Sequence, residues 1–130
     1  MTSATGQLLS SADLAYLQEK NYTFDVATVG GVVFLIIRSY QLPPAYTPPS
    51  TDLLLKLPPN FPISKPDMFW TFPHVRLANG SQPNSANVFD TQHQNRQWQR
   101  WSRHTTIWRP GVDDLRTFLA LIHHELQKGI

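Results

Sequence analysis

The sequence contains no cysteine. That excludes disulfides, thiolate metal sites and any reaction that needs a thiol nucleophile or a protein-bound thioester. It leaves the redox compartment open. Charge is also scarce: Asp, Glu, Lys and Arg make up 15% of the chain, and the formal net charge is only +2. A pI near 9.2 therefore reflects few ionisable groups rather than a polycation. The field that draws a protein onto nucleic acid or an anionic membrane is correspondingly weak. The most apolar run, Val32 to Ile37, is far shorter than the ~20 residues that span a bilayer. Met1 to Gln7 lacks the basic start and apolar stretch of a signal peptide, so a soluble cytoplasmic protein is expected.

What is present is proline, eleven residues in a chain of 130. That many fixed bends leaves little room for helix in the middle of one domain. Residues 1–9 read as a flexible lead-in and 10–130 as a single domain. A short helix is expected after Ser10, with Asp13 completing a capping-box pattern and Leu14 and Leu17 sharing a buried face. Phe24 to Thr28 alternates as a half-buried strand, and Gly30-Gly31 offers a hairpin turn. Val32 to Ile37 is a continuous β-branched run, read as a strand buried on both faces. Asp52 to Leu57 and Met68 to Phe72 read as third and fourth strands, joined by modest loops, which argues for an antiparallel meander. Val112 to Lys128 is an amphipathic helix, with Asp113 and Asp114 in its first turn and a stripe of Val112, Leu115, Phe118, Leu119, Ile122 and Leu126.

Between the fourth strand and this helix lies Arg96 to Gly111. It holds three of the four tryptophans, interleaved with Arg96, Arg100, Arg103 and Arg109, and reads without a period of 2 or 3.6. An ordered, irregular segment pinned by aromatics is expected, of the kind that often carries function. The candidate binding residues are Trp101, Ser102, Arg103, His104 and Trp108. Trp and Arg are frequent anchors of protein interfaces. A single-strand nucleic-acid platform is the alternative, disfavoured by the low charge. Ser102 with His104 is a conceivable nucleophile and base, but no Gly-x-Ser-x-Gly elbow surrounds the serine. His123, His124 and Glu125 lack the i, i+4 spacing of helical metal ligands. His74 and His93 are isolated histidines. No metal or cofactor is implied.

Two motifs give the order a family resemblance. Phe61-Pro62-Ile63-Ser64-Lys65-Pro66 resembles the Tyr/Phe-Pro-x-x-x-Pro signature that follows the third strand in the ubiquitin-conjugating-enzyme (UBC-like) fold. Ile107-Trp108-Arg109-Pro110-Gly111 resembles the Trp-Ser-Pro-Ala turn ahead of that fold's next helix. Pro66-Asp67-Met68-Phe69-Trp70, Trp101-Ser102-Arg103-His104 and Trp108-Arg109-Pro110-Gly111-Val112-Asp113 narrow the resemblance to prokaryotic family E of the superfamily, over Leu9 to Gly129. It implies an α+β domain: N-terminal helix, four-stranded antiparallel meander, irregular active-site-like segment, C-terminal helix.

The departures bear on activity. The family's catalytic cysteine sits about eight residues before the tryptophan matched by Trp108, near Arg100 to Ser102, where there is none. The His-Pro-Asn motif is also missing, and Pro73-His74-Val75 does not replace it. Transthiolation has no nucleophile here. The resemblance thus implies a non-catalytic component whose partners are a ubiquitin-like protein and an activating-enzyme homologue. An enzyme carrying an oxyester on Ser102 is the alternative.

Overall fold

The computed structural model of the protein describes residues 8–103 and 107–130. His104 therefore lies outside the described residues. Helix α1 spans Ser11–Glu19. The Ser10 hydroxyl accepts from the Asp13 amide at 3.1 Å, so the expected cap is formed. Strands β1 (Thr23–Val29) and β2 (Val32–Gln41) pair antiparallel about Gly30 and Gly31, whose φ values of 58° and 82° meet the need of a two-residue hairpin for positive φ at both positions.

The chain then forms β3 (Tyr46–Thr47), β4 (Ser50–Leu57), β5 (Phe69–Phe72), β6 (Arg76–Leu77), β7 (Val88–His93), β8 (Arg96–Trp101) and helix α2 (Leu115–Gln127). A six-stranded antiparallel sheet runs in the order β1-β2-β4-β5-β8-β7, and β3 and β6 form a small second ladder. The four expected strands are there as a meander. Two more strands extend the sheet: β7, which precedes the segment read as irregular, and β8, which is that segment's start. Along β8, Gln99 and Trp101 face one way, while Arg96, Trp98 and Arg100 face the other.

Both helices pack on one face of the sheet. Leu17 of α1 and Leu115, Phe118, Leu119, Ile122 and Leu126 of α2 enclose Leu35, Ile37, Leu53, Leu55, Phe69 and Trp101. The opposite face has a smaller core of Phe34, Ile36, Leu54, Trp70 and Trp98. It is roofed by side chains rather than helices. Arg96 lies over Phe72, 4.6 Å from the ring centre, and its Nη1 meets Asp52 at 2.7 Å; Arg38 reaches the same carboxylate at 3.0 Å and also pairs with Asp25. This double-sided burial explains the uninterrupted apolar run of β2.

Helix α2 begins later than its apolar pattern implied. Asp114 is its N-cap, accepting from the Thr117 amide, and Asp113 precedes the helix altogether. Val112 does not join the buried stripe. It is 62% exposed, because a tight turn in which both the Val112 and Asp113 amides donate to the Arg109 carbonyl carries it outward. Among the described residues no helix is long and apolar enough to cross a membrane.

Candidate functional site

Phe61 and Trp108, one from each motif, come together. The Trp108 indole Nε1 donates to the Pro62 carbonyl at 2.8 Å, and its ring lies 6.2 Å from Phe61 and 6.5 Å from Phe118. The turn that follows is locked. Asp113, buried, accepts from the Arg109 amide at 2.7 Å and from its Nη2 at 2.9 Å. The Arg109 guanidinium, then its amide, hold the Asp113 carboxyl below the ordinary carboxylate range. Trp108 is thus held by its own bond and by the turn that follows it.

Trp101 closes the other end of the loop. It is fully buried. Its ring stacks on Phe69 at 5.3 Å and its Nε1 donates to Thr71 Oγ1 at 2.9 Å. Thr71 in turn donates to Gln99 Oε1 at 2.8 Å. Gln99 is also fully buried, and its amide is completely used: Oε1 accepts from the Val75 amide, while Nε2 donates to the Val75 and Ala86 carbonyls. This network pins Pro73-His74-Val75, the stretch compared with the missing His-Pro-Asn motif, to the base of the loop.

The remaining predicted residues divide by role. Arg103 stacks on Trp101 at 4.9 Å and donates to the Asn84, Glu125 and Ile130 carbonyls. Glu125 lies in the last turn of α2, where a cation meets the negative end of the helix dipole. Arg103 is therefore a latch between the loop and the helix end. The Ser102 amide donates to the Ser85 carbonyl, and its Oγ accepts from Arg100 Nε at 3.0 Å. A guanidinium is a donor only and cannot take a proton from the hydroxyl, so this contact does not activate it. Trp101 presents no surface to a partner and acts through the loop it holds. The large apolar side chains left exposed in these two motifs and the turn after them are Ile63 (56%), Ile107 (71%) and Val112 (62%). Ile63 and Ile107 each adjoin a residue of the Trp108–Pro62 bond.

Gln99, Thr71, the Arg109–Asp113 pair and the exposed isoleucines carry no mark in the sequence that announces these positions. The alternation Gln97, Gln99, Trp101 was the available signal for a strand. For the metal alternative, His123 sits against Gln127 and Glu125 pairs with Lys128. Among the described residues no three His, Asp or Glu side chains converge as metal ligands.

Helix, meander and helix, with the Phe-Pro and Trp-Arg-Pro-Gly segments joined at one corner, define a UBC-like protein. The chain belongs to prokaryotic E2 family E, whose profile matches residues 9–129. That places it in a role related to ubiquitin-type conjugation, in a chain without cysteine. No curated protein and no solved structure gives a significant match.

Proposed function

We propose that this protein is a non-catalytic conjugating-enzyme-like component of a bacterial ubiquitin-like modification pathway. It binds or positions a ubiquitin-like protein, or that protein's activating or conjugating partner, through the loop from Trp101 to Trp108. One combination of features carries the reading: the family's two motifs are joined by the Trp108–Pro62 bond although the chain holds no sulfur nucleophile. An architecture kept rigid without its reactive atom is suited to recognition. The exposed Ile63, Ile107 and Val112 supply the apolar centre of a contact, and Ser102 and Arg103 its polar edge. His104 belongs to the same proposed surface by sequence.

The test is a pull-down with the immobilised protein against the cognate ubiquitin-like protein and the activating-enzyme homologue. Retention of either one, lost with Ile107→Asp, is expected. Passage of both unretained at saturating concentration contradicts the proposal.

A further inference from the structure

On the sheet face away from the helices, Lys56 of β4 lies across an aromatic floor. Its ammonium is 4.1 Å from the Trp70 ring centre and 5.3 Å from that of Phe34, and it donates to Thr91 Oγ1 at 2.7 Å. Among the described residues Lys56 forms no ion pair. Asp90, across from it, is occupied by Arg100 and by Trp70 Nε1. His93, edge-on to Phe34, has a buried Nε2 with no hydrogen-bond partner. Beside the amine opens a hollow of about 280 Å³, whose walls are mainly apolar, with Pro58, Pro59, Pro66, Met68 and Trp70, and also carry Lys65 and Asp67. That is small for a ligand site but open to the end of an extended chain. Lys56 is thus a half-buried amine in the wall of a mainly apolar hollow.

We propose that Lys56 is an acyl-acceptor site, which takes the activated C-terminal carbonyl of an extended peptide into an amide. Resting on the function proposed above, the natural donor is a ubiquitin-like protein carried as a thioester by its activating enzyme. The ammonium first releases a proton to water. The amine lone pair then attacks the thioester carbonyl, the C–N bond forms, and the C–S bond breaks. The thiolate leaves with the electron pair, and the second amine proton goes to solvent. The hollow holds the incoming chain end against Trp70 while the floor fixes the amine. Burial penalises the ammonium; Asp90 opposes this and Arg100 adds to it, leaving Lys56 below the ordinary lysine value. More of its amine is therefore free at neutral pH. An amide is a stable product, so this is modification of the protein and not carriage of a cargo.

The test uses the full chain and a short synthetic peptide with a C-terminal thioester at pH 7.5. With no cysteine to intercept the probe, every adduct must lie on an amine or a hydroxyl. Peptide mass spectrometry should find hydroxylamine-resistant adduct on Lys56, formed several times faster than on Lys20, Lys65 or Lys128; the Met1 amine, whose ordinary value lies near neutrality, is not the reference. Lys56→Arg should abolish it, with folding checked by a thermal melt. Arg100→Gln, which frees Asp90 to stabilise the ammonium, should slow labelling and move its pH midpoint upward. Adduct spread evenly over the amines, or formed faster at another lysine, would overturn the proposal. No ubiquitin-like protein is present, so failure here is separate from failure of the binding reading.

Discussion

Gln99 shows what a single side chain does for the loop. Its amide satisfies two backbone groups of Val75 from within a fully buried site. Gln99→Leu keeps the apolar volume but leaves both groups without that partner, at about 1–3 kcal/mol each. The expected outcome is a loss of about 2–6 kcal/mol in urea unfolding; a loss under about 1 kcal/mol would mean the network is slack. Trp108→Phe is milder. It keeps the ring contacts with Phe61 and Phe118 but removes the bond to the Pro62 carbonyl, so about 1 kcal/mol should be lost. Neither role was legible in the sequence: glutamine has no signature for burial, and a tryptophan's hydrogen-bond partner lies far away in the chain. What was legible was that these tryptophans pin the segment.

At the scale of elements, the junction between the two helices titrates. Asp13, buried at the start of α1, has its carboxyl pushed up by burial, helped by Asp114 and opposed by Ser10 and the Leu115 amide. The folded state therefore holds this proton to higher pH than the unfolded chain. Stability from Asp13 is greatest below its ordinary value of 3.8 and declines as pH rises through the folded value. Asp13→Asn, which keeps the shape without the charge, should raise the thermal midpoint at pH 7 and change it less at pH 3. Asp113 has the opposite sign. Its carboxyl is held low by Arg109, so its contribution is present above 3.8 and is lost as pH falls through the folded value. Asp113→Asn should therefore cost stability at pH 7 and little in strong acid. Urea melts at the two pH values check both signs.

The helices and the glycine hairpin were readable because capping, stripe and turn are local. The β7–β8 hairpin was not. Its turn places Gln94 and Asn95 at φ values of 55° and 59° without a glycine, and β8 uses Arg and Gln where β-branched residues would have announced it. Its inward residues are recognisable only once β5 supplies the neighbouring strand. Val112 was misplaced on the stripe for a related reason: the turn closed by Arg109 overrides the helical period there.

For the whole molecule, the sheet with helices on one face positions one corner where Pro62 and Trp108 meet, flanked by Ile63 and Ile107. If this corner is the contact, Ile107→Asp should leave the melting curve unchanged, since the side chain is exposed, and weaken partner affinity by about tenfold. The fold and the family were legible through two short motifs in the right order. The exposed face was not, because exposure of an isoleucine is set by which backbone turns its neighbours make. The most direct measurement is an amide-resolved NMR titration of the isotope-labelled protein with the cognate ubiquitin-like protein. Saturable shifts clustered at Ile63, Ser102, Arg103, Ile107 and Val112 are predicted. Unchanged spectra at saturating partner, or shifts confined to the far face of the sheet, would contradict the account.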